Sequence, residues 1–393
     1  MRYLERERAT VRKILPGLDE RLQATPLMEL ERPGGPGLTA FRECGGPGLL
    51  VPAAHGGCGA TALEAIRVQR ALGMRSPSLA VATTMHHFSM ASIVALSEAG
   101  DGFEWMLMEA VASGNKLLAS GFAEGDPAVG ILHPTMTAQV TPQGVRVSGV
   151  KRPCSLSGSM DLLTASVLVP REDGDGEQLA VVMIPADSPG LTVSPFWGTF
   201  ALAGAESNQV TIEDVLVPPE LVVRTAGPGG QSGGLSGGQS GGQSGGQSLD
   251  EIQIVAFVWF ELLISASYLG AVSALVERAL QNERIPEADR VRLVMDTEPA
   301  MAALENIARQ LPAAGRDARL LADSLLVRYA VQDAVARVAP RATELLGGMS
   351  FVGADDVAYL AACVNALGFH PPARAKMSGP LARYLVGESL TIA

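Results

Sequence analysis

Apolar and polar positions along the chain fall into three successive textures: helical, extended, then helical again. Up to about residue 114 the spacing is helical. Leu63, Ile66, Val68, Ala71 and Leu72 follow a helical apolar pattern, and residues 85–96 carry a further apolar face. Pro52 and the pair Gly56 and Gly57 break the period, and Thr61 offers a side-chain cap for the helix that follows. From about residue 117 the segments become short, β-branched and punctuated by Pro or Gly: 137–150, 161–170, 178–185, 190–196 and 207–223. The DGDG at 173–176 reads as a hairpin tip. Helical spacing returns after residue 248 and holds through 301–311, 320–346 and 381–390.

One stretch in the last block stands apart. Residues 252–276 are almost wholly apolar, with Glu261 the one group able to carry charge at neutral pH. On a 3.6-residue period Glu261 shares a face with Phe257, Ser265 and Tyr268. A helix apolar on all sides is buried in protein or in lipid, and a lone carboxylate on it must be neutral, paired or catalytic. The run is long enough to span a bilayer. The central carboxylate, Gln253, the missing basic flanks and the lack of a second span assign it to a protein core instead.

Separate blocks of helix and strand predict an α+β multidomain architecture rather than a doubly wound sheet. The expected division is an N-terminal helical domain (1–115), a middle β-barrel or sandwich domain (116–228), a linker (229–248) and a C-terminal helical bundle (249–393). The linker consists of five near-identical Gly-Gly-x-Ser units. A phosphate loop needs a preceding strand, a following helix and usually a Lys, so this composition reads as a flexible linker or surface insertion. As a free coil it would reach roughly 25 Å.

Composition narrows the classes. With 393 residues, 47% hydrophobic and 18% charged, the chain can bury a large core. A net charge of −11 leaves no basic stripe for nucleic acid. Cys44, Cys58, Cys154 and Cys363 form no CxxC pair, so neither a metal site nor a disulfide framework is expected. The charged N-terminus lacks the apolar core of a signal peptide, and a cytoplasmic location follows as the expectation.

Four motifs in order resemble the acyl-CoA dehydrogenase superfamily over nearly the whole chain. Residues 49–65 are similar to its Pro-x-x-x-Gly-Gly turn, 117–130 to its first flavin-contacting strand and loop, 147–166 to the segment leading to its second flavin-contacting turn, and 204–218 to the end of its β-domain. A helical bundle containing LLGGMSF follows. The resemblance implies FAD held between the β-domain and the bundle, a carboxylate that removes a proton alpha to a thioester carbonyl, and assembly into a dimer or tetramer. The base in such chemistry must be desolvated and the developing enolate hydrogen-bonded, and the cofactor carries the hydride step.

Carried over by position, the resemblance places Phe122, Ala123, Cys154 and Ser155 against the flavin, and Gly347 and Gly348 near its adenine part. Ala123 lacks the hydroxyl usual there, Pro153 replaces an aromatic ring, and Glu344 replaces a Gln. No Arg-x-x-Phe-Gly segment is found. The family's usual catalytic Glu would fall near 366–372, where this chain reads ALGFHPP. Two residues are therefore candidates for the base. Glu261 lies one position after an alternative catalytic site of the family, at Phe260, and the other candidate is His370. One residue is roughly a 100° turn of helix, so Glu261 need not face the flavin. His86 and His87, on a helix that lines the acyl pocket in relatives, are candidates for substrate contact. Lys151 and Arg152 read as solvating a strand end.

The reading this supports first is FAD-dependent α,β-dehydrogenation of an acyl thioester, bound to CoA or to an acyl-carrier protein, in secondary metabolism. Polyketide extender-unit chemistry is one setting, and the electron acceptor is left open. Two alternatives stand beside it: a flavin-dependent monooxygenase or oxidase on the same scaffold, which needs no Glu, and a flavin-free scaffold that binds a thioester or a partner.

Overall fold

A computed structural model describes residues 2–99, 104–125, 134–171, 176–224, 251–314 and 316–392. The GGxS repeat at 229–248 lies outside the described residues, as do 126–130 of the first flavin-motif segment and all of the DGDG tip except Gly176.

Among the described residues, seven α-helices open the chain: α1 (Glu5–Ile14), α2 (Leu18–Ala24), α3 (Leu27–Leu30), α4 (Pro36–Glu43), α5 (Ala62–Arg75), α6 (Pro77–Ala99) and α7 (Glu104–Gly114). Thr61 caps α5 as its position suggests. Its hydroxyl accepts from the Glu64 amide at 3.3 Å while the Glu64 carboxylate accepts from the Thr61 amide at 3.0 Å. Such a reciprocal cap contributes about 1 kcal/mol.

Eight strands follow among the described residues: β1 (Leu118–Gly121), β2 (Thr137–Thr141), β3 (Gly144–Cys154), β4 (Leu162–Pro170), β5 (Glu177–Pro185), β6 (Leu191–Ser194), β7 (Asn208–Val217) and β8 (Val222–Arg224). They form two four-stranded sheets, ordered β1-β4-β5-β8 and β2-β3-β7-β6. β1 and β4 run parallel and the other pairs antiparallel. β4 is buried on both faces from Leu163 to Val167, and its two polar residues there are satisfied: Thr164 donates to the Ala119 carbonyl at 2.9 Å and Ser166 accepts from Lys151 Nζ at 3.2 Å.

The C-terminal helices are α8 (Glu251–Gln281), α9 (Glu287–Ala314), α10 (Ala318–Leu346), α11 (Gly348–Gly353), α12 (Asp355–Cys363) and α13 (Arg374–Leu385), with a 3-10 turn (Val364–Phe369) before α13. α8 is the axis of the molecule. Every residue from 257 to 276 is buried, and the helix packs against α5, α6, α9 and α10. Its crossing with α5 is backbone on backbone: a Cβ at Gly270 would sit 2.2 Å from the Arg70 carbonyl oxygen, and one at Gly73 2.1 Å from that of Ser267. Only glycine permits this approach. A second helix, α6, is also long and apolar enough to cross a membrane, against the expectation of a single run. In the most apolar windows of α6 and α8, 83% and 94% of residues are buried inside the protein, so both serve as core helices.

Buried polar groups tie the three segments together. Arg70, fully buried, donates to Glu7 at 3.0 Å, to Glu298 at 2.5 Å and to Ser273 at 3.1 Å. The Glu31 carboxylate accepts from Ser76 Oγ at 2.5 Å, from the Ser78 amide at 3.1 Å and from the Ser78 and Tyr359 hydroxyls. The Tyr359 hydroxyl in turn accepts from the Leu202 amide at 3.0 Å. Burial raises the Glu31 pKa and these donors oppose the rise. One carboxylate thus joins the N-terminal helices, the turn before β7 and α12.

Candidate active site

A cavity of about 390 Å³ opens where the sheets meet α6, α8 and the turn before α13, a size usual for small-molecule sites. α6 lends it Met85, Phe88 and Ser89, and α8 lends Gln253, Phe257 and Phe260. Phe122, Pro153 and Trp197 close the β-domain side, and Val181 and Met183 of β5 close another. Aromatic rings run in sequence along it. Phe122 lies 5.7 Å from Phe88, Phe88 5.5 Å from Phe260 in a T-shaped pair, Phe260 6.2 Å from His370, and His370 5.4 Å from Tyr268. No Asp, Glu, Lys or Arg is among the described residues lining the cavity.

Its polar groups are few. Ser155 and Ser207 share a hydroxyl hydrogen bond of 2.9 Å, and Ser89 meets Thr164 at 3.3 Å. His370 Nε2 lies 2.9 Å from the Tyr268 hydroxyl. Burial first, then the nearby Arg328 charge, push His370 down to about 3, so its ring is neutral at neutral pH. The ring is half-buried because one side faces the cavity.

The expected flavin residues divide. Phe122, Ala123 and Ser155 line the cavity, whereas Cys154 is turned into the core, its thiol pushed up to about 12 by burial. Gly347 and Gly348 form the open turn between α10 and α11, away from the cavity wall. A flavin ring system presents two apolar faces and one polar edge. The flat apolar side chains of Phe122, Pro153 and Trp197 beside the hydroxyls of Ser120, Ser155 and Ser207 suit that combination, and these are the residues that would hold it.

Glu261 is displaced from the role expected of it. Phe260 faces the cavity, and Glu261, one helical step on, points to α10, where its Oε2 lies 3.1 Å from Arg328 Nη1. Neither carboxylate oxygen has hydrogen-bond geometry with a partner, so the contact is a close ion pair. Burial raises the Glu261 pKa and the guanidinium pulls it back.

His86 and His87 likewise sit behind the wall. His86 Nδ1 accepts from the Leu118 amide at 3.1 Å, and its Nε2 then donates to the Pro47 carbonyl at 2.9 Å. This fixes a neutral tautomer that pins β1 to α6, with burial lowering the pKa to about 4. His87 is buried beside Phe41 and His86 with neither ring nitrogen bonded. Lys151 is buried rather than solvated, donating to Glu124 at 2.7 Å and to Ser166 at 3.2 Å.

Ser207, Trp197, Val181 and Met183 were not foreseen as wall residues. Val181 and Met183 lie in β5, where an apolar run does not mark which side meets a cavity, and Trp197 and Ser207 lie between β6 and β7, outside any strand period. Among the described residues all four cysteines are free thiols, and no cluster of three or more metal-ligating side chains occurs.

No family model matches the chain. It is 43% identical over 396 aligned residues to isobutylamine N-hydroxylase of Streptomyces viridifaciens, covering all of both proteins. A shorter match, 30% identity over 114 residues, spans 28% of this chain and 18% of the "Probable acyl-CoA dehydrogenase FadE10" of Mycobacterium tuberculosis. Among solved structures, TdsC of Paenibacillus sp. A11-2, in a complex with FMN and indole, superposes with a TM-score of 0.80 at 16% identity over 99% of each chain.

Proposed function

The chain belongs to the acyl-CoA dehydrogenase superfamily as a divergent flavin-dependent oxidoreductase, and on that premise we propose that it N-hydroxylates a small apolar primary amine. The observation that carries this reading is a cavity walled by aromatic and aliphatic side chains with no described carboxylate on it. Thioester dehydrogenation needs a base beside the alpha carbon. The carboxylate expected there, Glu261, is paired with Arg328 behind the wall. The monooxygenase alternative requires no such group, and the full-length likeness to an amine N-hydroxylase supports it.

The chemistry that the flavin supplies when bound and reduced is activation of dioxygen, which leaves one oxygen atom on the amine nitrogen and the other in water. The protein's own groups prepare the amine. Nitrogen accepts oxygen through its lone pair, so it must enter unprotonated. A cavity without carboxylates gives an ammonium ion no counter-charge and penalises it by desolvation, favouring the free base. His370 is too weak a base to take the ammonium proton. Its role is a polar handle, a hydrogen bond to the amine, oriented by the Tyr268 hydroxyl at 2.9 Å. The aromatic row and Met85, Val181 and Met183 exclude water and receive the alkyl group.

Both FMN and FAD are assigned to the test, since FMN is named in the TdsC complex and FAD is what the family resemblance implies. The protein is supplied with either flavin in reduced form, air and isobutylamine or another short alkylamine, and product is followed by mass spectrometry. A hydroxylamine product supports the proposal. Absence of any oxygenated amine, together with anaerobic bleaching of the oxidised flavin by acyl thioesters, would return the assignment to dehydrogenation. Quenching of tryptophan fluorescence on titration, with Trp197→Phe identifying the share of Trp197 among the three tryptophans, reports flavin binding separately from turnover.

A further inference from the structure

We propose that Glu261 and Arg328 form a positioning pair that sets the place of His370 in the cavity. The inference rests on the reading of His370 as the amine's polar handle. The relevant geometry is a single buried guanidinium shared by one carboxylate and one turn. Arg328, on α10, is fully buried. Its Nη1 donates to the Pro372 carbonyl at 2.9 Å, and its Nη2 donates to the carbonyls of Leu367 at 3.2 Å and of His370 itself at 2.5 Å. The adjacent Tyr329 hydroxyl also donates to the Pro372 carbonyl, at 3.0 Å. Three carbonyls from residues 367–372 therefore converge on one cation.

A planar fork of fixed donors holds three acceptors in a set arrangement, which an ammonium on a flexible stem does less well. The carbonyls satisfy hydrogen bonds and leave the charge uncompensated. Glu261 compensates it, its Oε2 lying 3.1 Å from Nη1, the nitrogen that also holds the Pro372 carbonyl. Burying an unpaired guanidinium is strongly unfavourable, so the cation stays where it can grip the turn because the carboxylate is there.

Glu261 and Tyr268 are seven residues apart on α8, about two helical turns, and so lie on one face. One helix thereby controls His370 twice. Tyr268 holds its Nε2 directly, and Glu261, through Arg328, holds its backbone carbonyl. His370 is thus held at one ring nitrogen and at its backbone, which is what a handle for a small amine requires.

Glu261→Gln keeps the side chain's shape and removes its charge, and it is compared with His370→Ala and the double variant. The expected result is a loss of kcat/KM of about tenfold for Glu261→Gln in the wild-type background, with flavin binding retained. In the His370→Ala background the same change is expected to have no further effect. An equal loss in both backgrounds would mean that Glu261 supports the fold and does not act through His370, overturning the proposal. A second readout needs no turnover. In histidine-labelled protein, Glu261→Gln and Arg328→Gln shift or broaden the His370 ring signal, identified by its disappearance in His370→Ala, and leave the buried His86 signal in place. An unmoved His370 signal in folded Glu261→Gln overturns the positioning pair. If wild type oxidises no amine while the ring signal moves, the functional reading fails and the pair stands.

Discussion

Gly270→Ala tests whether the α5 and α8 crossing sets the stability of the whole core. The added Cβ would lie 2.2 Å from the Arg70 carbonyl oxygen and 2.9 Å from both Gly73 Cα and the Met74 amide nitrogen. Ordinary contact begins at 3.4 Å, so the two backbones must part by about 1.2 Å (3.4 minus 2.2) along that direction. The atoms met are backbone, with no rotamer to yield, which places the cost near the upper end of the roughly 1–3 kcal/mol of overpacking. Alanine's better helix propensity returns about 1 kcal/mol. The crossing wins, and the net loss is about 2 kcal/mol. For 393 residues melting as one unit, an unfolding entropy of about 0.8 kcal/mol/K converts this into a Tm drop of about 2–3 °C. Gly353→Ala is the internal control, because that glycine closes α11 and its Cβ would meet nothing within 4 Å. It should gain up to about 1 kcal/mol. Thermal unfolding by circular dichroism reads both. If Gly270→Ala melts at or above wild type, the argument from close approach is wrong. Because Gly270 lies two residues beyond Tyr268, a displaced α8 should also raise KM for the amine.

Three further outcomes follow from the site and its surroundings. His86→Gln should flatten the dependence of stability on pH. The folded protein holds His86 neutral down to about 4 while the unfolded chain takes a proton near 6.5. Wild type therefore loses stability relative to the variant as pH falls from 6.5 towards 4, by about 1.6 kcal/mol between 6.5 and 5; a constant difference in urea midpoints would refute it. Tyr268→Phe removes the bond to His370 and should lower kcat/KM for the amine about tenfold, with the Trp197 titration unchanged; loss of flavin binding instead would assign Tyr268 to the cofactor. With wild-type enzyme, kcat/KM for an alkylamine should rise about tenfold per pH unit between 7 and 9, tracking the free base of an amine whose pKa is near that of Lys, about 10.4. A flat profile would mean that the cavity takes the ammonium ion.

The sequence carried the core helix plainly and the site only partly. α8 was legible because nothing but burial accounts for an apolar run on every face, and Glu261 was legible as a carboxylate in need of a partner. That partner, Arg328, lies 67 residues further on, at a separation no local period reaches. The one-residue offset from Phe260 left Glu261 free to face away from the cavity, and the ion pair with Arg328 gives the direction. His86 and His87 were misplaced for a related reason. Their helix does line the cavity, through Met85, Phe88 and Ser89, but the two imidazoles occupy its other side. His370 was found because GFHPP stands where the family resemblance implies a base. Its capture by Tyr268 could not be read, since the turn that carries it is folded back by carbonyl contacts rather than by any pattern of side chains.

The cavity wall draws on residues as early as Val81 and as late as Pro371, and this has a consequence for biosynthesis. Chains leave the ribosome N-terminus first and fold as their parts emerge. The early helices and both sheets are made before α8 appears, and α8 appears before α10 and the Arg328-gripped turn that cover its far side. For that interval the nascent chain displays its most apolar helix with α9 and α10 still to come, leaving a surface prone to wrong association. The chamber that excludes water in the finished enzyme is thus among the last things the chain can build. Production of this protein should depend more on the passage from α8 to the turn before α13 than on any other stretch of translation.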